Sequence, residues 1–74
     1  MIVIDVRTKE EFESGHVEGA INIDFYREDL KEVLAKLDKS KKYGVYCRSG
    51  ARSSRVVELM KELGFDVEDL GALT

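Results

Sequence analysis

The chain has no proline and no tryptophan, one cysteine (Cys47) and one histidine (His16). A single cysteine cannot close an intramolecular disulfide, so the usual staple of small secreted domains is missing. One cysteine and one histidine also fall short of the roughly four ligands of a structural zinc site, and no metal is expected. No charge of one sign dominates. Twelve Lys and Arg against fifteen Asp and Glu leave a net charge of −3. Scattered, mildly acidic charge excludes a nucleic-acid binder of the usual basic kind. Long apolar runs are absent too. The longest, Met1 to Ile4, is far below the ~20 residues that span a bilayer, and no signal-peptide core follows a basic start. No repeat, low-complexity tract or linker interrupts the 74 residues, which fit one domain, 1–74. A domain of this size buries only ~60 % of the surface its unfolded chain exposes. The expectation is a soluble protein of a reducing compartment, the cytoplasm, with secretion requiring a leader removed from the sequence.

What is there alternates in a readable way. Ile2-Val3-Ile4-Asp5-Val6 is β-branched and almost continuously apolar, as in a strand buried on both faces of a parallel sheet. Thr8 and Glu11 form a capping-box pattern with Thr8 as N-cap, for a short helix to about Ser14 that stops at Gly15. Ala20-Ile21-Asn22-Ile23 reads as a second strand. Leu30, Val33, Leu34 and Leu37 sit at i, i+3, i+4 and i+7, one apolar face of a second helix. Tyr43-Gly44-Val45-Tyr46-Cys47 is a third strand. Ser53 is the expected N-cap of a third helix that buries Val56, Val57, Met60 and Leu63 and ends at Gly64. Phe65, Val67 and Leu70 mark a last strand, and Gly71-Ala72-Leu73-Thr74 closes the chain. Strands alternating with helices predict an α/β fold: about four short, mainly parallel strands with right-handed crossovers and helices on both faces.

Cys47-Arg48-Ser49-Gly50-Ala51-Arg52-Ser53 is the sharpest local feature. A cysteine ends a strand, a short glycine-containing loop follows, and a helix begins. Ligands of open α/β sheets bind outside the carboxyl ends of strands. A tight turn entering a helix aims several backbone N–H groups at one point and favours an anion there. The Cys47 thiolate is the nearest anion, so its pKa should lie below that of free cysteine. Arg48 and Arg52 add positive charge, and Arg55 follows one turn on. No acid lies between residues 47 and 57. A locally basic loop in an acidic chain points to a small anionic substrate. The plainer reading makes Cys47 a buried filler, but core packing does not call for two arginines around a small-residue turn.

These residues resemble the short, single-domain rhodanese (thiosulfate sulfurtransferase) family. The likeness is carried by Asp5-Val6-Arg7, Glu11-Phe12, Gly15-His16-Val17, Gly19-Ala20-Ile21-Asn22-Ile23, Tyr46 to Ser53, and Leu63-Gly64-Phe65, in order over most of the chain. The resemblance implies a rhodanese-like fold and a two-step, cofactor-free chemistry. The Cys47 thiolate takes sulfane sulfur from a small anionic donor such as thiosulfate and carries it as a persulfide. A thiol, a protein acceptor or cyanide then removes it. Backbone N–H groups of residues 48 to 52 would stabilise the anionic sulfur. Arg48 and Arg52 would orient the donor, and Ser49 and Ser53 could donate hydrogen bonds, with Gly50 and Ala51 shaping the loop.

Two alternatives remain at this level. Rhodanese-like domains include inactive binding modules, which often lack the cysteine present here. Cysteine phosphatases of related fold, and with them arsenate-handling enzymes, place one more residue between cysteine and arginine. Here Arg52 follows Cys47 by five positions, and the loop suits a single sulfur atom better than a phosphoryl group. A redox role would need a second cysteine.

Asp5 ends the first strand at the Cys47 edge and is expected to pair with an active-site arginine, such as Arg52. Arg7 is expected to tie the strand end to the 15–20 turn. His16 reads as a turn histidine bonded to backbone rather than a general base. Tyr46 reads as packing, and Phe12, Phe25 and Tyr26 as core or pocket wall. Relative to the family pattern the chain is minimal, lacking an opening helix and strand and a closing helix. A less covered sheet edge invites a homodimer.

Overall fold

The computed structural model describes residues 1–73, so Thr74 of the closing segment lies outside the described residues. Seven elements follow in order: β1 (Ile2–Asp5), α1 (Lys9–Glu13), β2 (Ile21–Asn22), α2 (Leu30–Ala35), β3 (Lys42–Cys47), α3 (Ala51–Glu62) and β4 (Asp66–Ala72). The four strands form one parallel sheet in the order β2-β1-β3-β4. This is the expected rhodanese-like α/β architecture.

Topology fixes where a ligand can sit. The chain leaves β1 toward one edge of the sheet and leaves β3 toward the other. The carboxyl ends of β1 and β3 therefore flank a topological switch point, where open α/β sheets bind ligands. Asp5 and Cys47 are the last residues of these two strands. Right-handed crossovers leading to opposite edges place α1 and α3 on opposite faces.

The register sorts side chains by face. Ile4 pairs with Val45, and Asp5 with Tyr46. Alternation sends Ile4, Val6, Tyr43, Val45 and Cys47 toward α2 and α3, where they meet Leu34, Val56, Met60 and Phe65 in one buried cluster. Asp5 and Tyr46 go to the other face, beneath the turn that follows α1. No helix among the described residues is long and apolar enough to cross a membrane.

Two boundaries differ from expectation in ways that matter for the site. α3 starts at Ala51, not after Ser53, and its N-cap is Gly50 in the left-handed region at φ 92°. Ser53 lies inside the first turn because Cys47 takes over the capping role. The other difference is in β4, which runs on to Ala72 and carries an extra residue. Asp69 pairs with Val45 but Gly71 with the next residue, Tyr46, leaving Leu70 as a bulge.

Candidate active site

The sulfur of Cys47 lies at the centre of the loop between β3 and α3. The Gly50 N–H donates to Sγ at 2.9 Å and the Ser53 N–H at 3.4 Å. The first N–H groups of a helix lack partners within the helix. Here a thiol sulfur, rather than a side-chain oxygen, accepts them. Burial of the sulfur pushes its pKa up. Hydrogen bonds from the Ser53 N–H and hydroxyl, and from the N–H groups of Gly50 and Ser49, outweigh that and hold it below the ordinary thiol value. Cys47 is fully buried, while Arg48, Ser49 and Ala51 are exposed and Gly50 partly so. The loop thus turns its backbone to the sulfur and leaves the Arg48 side chain exposed.

Arg52 does not pair with Asp5 as the sequence suggested. Its guanidinium donates to both carboxylate oxygens of Glu11, at 2.8 and 3.2 Å. The same Glu11 closes the capping box of α1, where its side chain accepts from the Thr8 N–H at 3.0 Å and its own N–H donates to the Thr8 hydroxyl. One carboxylate thereby ties the opening of α1 to the opening of α3. Arg52 also lies over the exposed Tyr26 ring, 5.8 Å from its centroid, which makes Tyr26 a rim residue rather than core. The Arg52 charge still acts on Cys47, but its fork is occupied. The exposed arginines of this stretch are Arg48 and Arg55.

The Arg52 hydrogen bond, seconded by Thr8, holds the Glu11 carboxyl down at about 2. Its contribution to stability is therefore complete above the ordinary value of 4.5 and is lost as pH falls toward about 2. Glu11→Gln keeps the capping bond to Thr8 and removes the ion pair. Urea unfolding should show the variant about 1 kcal/mol less stable at neutral pH, with the gap closing as pH falls through that window. A gap that stays constant with pH would mean that the pair does not stabilise the fold.

Asp5 pairs with Arg7. The Arg7 side chain donates to Asp5 at 2.8 to 3.1 Å, its backbone N–H donates to Oδ1 at 2.8 Å, and its Nη2 reaches Gly15 O at 2.6 Å. The Tyr46 hydroxyl donates to Asp5 Oδ2 at 2.7 Å and accepts from the Val17 N–H at 3.0 Å. Burial pushes the Asp5 carboxyl up, and the Arg7 and Tyr46 hydrogen bonds bring it below the usual carboxylate range. This buried network pins the α1–β2 turn to the ends of β1 and β3. His16 is exposed, stacks on Phe12 with centroids 3.6 Å apart and bonds Phe12 O through Nδ1 at 2.9 Å. Nothing places its ring near Cys47.

Sequence reasoning missed three contributors. Tyr46 was read as packing, yet its hydroxyl completes the Asp5 network. Glu11 was legible as a cap but not as the partner of Arg52. Asp69 carried no signal at all, and its carboxylate accepts from the Ser53 hydroxyl at 2.9 Å.

The fold and site define a class: a parallel α/β domain with one buried thiol cradled by backbone N–H groups at the switch point. The model of the Rhodanese-like domain family matches residues 1–71, and the chain belongs to that family. It is 40 % identical over 73 residues to the thiosulfate sulfurtransferase PspE of Escherichia coli (strain K12), covering 95 % of this chain and 68 % of that protein. It is 37 % identical over 65 residues to the tRNA sulfurtransferase of Thermoplasma volcanium, covering 88 % of this chain and only 13 % of that protein. The solved structure of a rhodanese with anions from E. coli superposes with a TM-score of 0.80 at 37 % identity, covering 97 % of this chain and 86 % of the other.

Proposed function

We propose that the chain is a sulfurtransferase in which Cys47 carries sulfane sulfur as a persulfide. The observation that supports this most directly is the cradle: a buried sulfur that accepts backbone N–H groups and is held below the ordinary thiol pKa. In the first half-reaction the Cys47 thiolate attacks the outer sulfur of thiosulfate. The bond between that sulfur and the sulfonate breaks, and sulfite leaves with the electron pair. The product is a Cys47 persulfide anion. In the second, a thiolate or cyanide attacks the outer sulfur, forms its own bond to it, and returns the Cys47 thiolate. Both resting states are sulfur anions, so one set of fixed N–H dipoles serves both without reorganisation.

Cys47 is fully buried, so a donor approaches it past the exposed loop residues Arg48, Ser49 and Ala51. Gly50, at φ 92°, takes the left-handed conformation in which its N–H meets Sγ. Exposed Arg48 and Arg55 supply the positive rim that draws a dianionic donor toward the opening.

The test is steady-state thiocyanate formation from thiosulfate and cyanide. Parallel double-reciprocal lines across a matrix of both substrates are expected, the pattern of a covalent carrier. Intersecting lines would place both substrates on the protein together and contradict a persulfide route. An aryl phosphate should not be hydrolysed in a Cys47-dependent way.

A further inference from the structure

Ser53 has one hydroxyl hydrogen and three acceptors within reach. Gly50 O lies at 3.1 Å and Asp69 Oδ1 at 2.9 Å. The third is Cys47 Sγ, which accepts the backbone N–H of the same residue at 3.4 Å and is held below the ordinary thiol pKa in part by the Ser53 hydroxyl. A hydroxyl donates once at a time, so these bonds compete. A carboxylate is the strongest neutral-pH acceptor of the three while the sulfur is a protonated thiol.

Asp69 is placed there by the irregularity in β4. The bulge at Leu70 follows directly, and Gly71, at φ 70°, turns its N–H back onto Asp69 Oδ1 at 2.8 Å. Asp69 pairs in register with Val45 and so shares the face on which Cys47 and α3 lie. The loop leans on the same strand end, since a Cβ on Gly50 would come within 3.9 Å of Gly71 Cα. The bulge, the turned-back N–H and the hydroxyl contact are three separate observations that converge on one carboxylate beside the cradle.

We propose that Asp69 is a positioning residue that draws the Ser53 hydroxyl off Cys47, so that removing its charge hands this hydrogen to the sulfur. The inference deepens the sulfurtransferase reading and rests on Cys47 as the nucleophile. Its consequence is a tuned thiol. A sulfur that took the full set of donors would be a better-stabilised but less nucleophilic anion. With Asp69 present the hydroxyl is held in reserve and moves to the sulfur as negative charge develops there. The other charged groups acting on this side are Arg52, with its fork held by Glu11, and Arg48 in the loop. Asp5, Arg7 and the Tyr46 hydroxyl belong to the network on the opposite face of the sheet.

The experiment is the pH dependence of Cys47 alkylation by iodoacetamide, with no sulfur donor present. Cys47 is the only cysteine, so the signal is its own. Asp69→Asn keeps an oxygen for the Gly71 N–H and removes the charge. It should lower the thiol pKa by about half a unit to one unit. Asp69→Ala should shift it in the same direction. In a Ser53→Ala background the Asp69→Asn shift should largely vanish, and in a Ser53→Thr background it should return. An absent or upward shift in Asp69→Asn overturns the inference. So does an equal shift with and without the hydroxyl, which would be the through-space effect of the charge alone. Sulfur loading from thiosulfate is read separately. A hydroxyl-dependent shift in a protein that never loads sulfur would leave this inference standing and remove the sulfurtransferase reading.

Discussion

Cys47→Ser is expected to lower thiocyanate formation by about 10³-fold or more while leaving the fold in place. Serine fills nearly the same volume, and its oxygen can accept the N–H groups of Gly50 and Ser53 that now point at Sγ. The far-UV spectrum should therefore match that of the parent protein. The chemistry has no such substitute. A hydroxyl is not ionised by the donors that suffice for a thiol, and an alkoxide does not form a stable bond to sulfane sulfur that a second nucleophile can reopen. Retention of more than about a tenth of the rate would mean that the sulfur is handled elsewhere on the protein.

Arg7→Met should produce the largest loss of stability. Asp5 is fully buried, and Arg7 supplies most of the hydrogen bonds to its carboxylate. Removing one partner of a buried ion pair leaves a charge with no compensation and costs about 3–5 kcal/mol. Domains have only about 5–15 kcal/mol in all, and one of this size lies at the low end. Urea unfolding should show Arg7→Met largely unfolded or nearly so at neutral pH. The deficit should shrink in acid. The native pair holds the Asp5 pKa below its unfolded value, so its contribution is present above about 3.8 and fades as pH falls. In the variant the buried carboxyl is instead easier to protonate, so acid relieves it. Asp5→Leu combined with Arg7→Met should cost less than Arg7→Met alone, because no charge is stranded. If Arg7→Met unfolds within about 1 kcal/mol of the parent, the network is not what holds the α1–β2 turn.

These two residues also mark how far the sequence could be read. Strand β3 and the loop after it were legible because their signals are local: an apolar run, then a cysteine, then small residues entering a helix. The capping box at Thr8 and Glu11 was legible for the same reason, being defined over three residues. Arg7 could be assigned to the turn because Asp5-Val6-Arg7 is among the residues that carry the family resemblance. Arg52 was different. Its partner Glu11 lies 41 residues away, and no spacing rule links them. Asp5 was the more obvious acid at that edge, but alternation sends it to the opposite face from the cysteine loop. The start of α3 was misplaced because Ser53 is a good N-cap by type, whereas the group that caps this helix is a thiol from the preceding strand. Asp69 was invisible because its position depends on a bulge, and one extra residue in a strand leaves no mark on a short apolar pattern.

In the proposed chemistry the cradle gives the loop one task in two states, which is to hold an anionic sulfur away from water. That explains why a small, acidic chain keeps a basic, glycine-containing loop at its switch point, and why a lone cysteine suffices for the proposed chemistry. It also accounts for the elements built around the loop. Glu11 fixes Arg52, and the Asp5 network fixes the strand end and the turn beneath Tyr46.

The most direct test of the persulfide account is the intact mass of the protein after exposure to thiosulfate and removal of excess reagent. A gain of one sulfur, about 32 Da, is expected, lost on addition of cyanide and never formed in Cys47→Ser. A folded protein that gains no sulfur, or gains it equally in Cys47→Ser, would contradict the account.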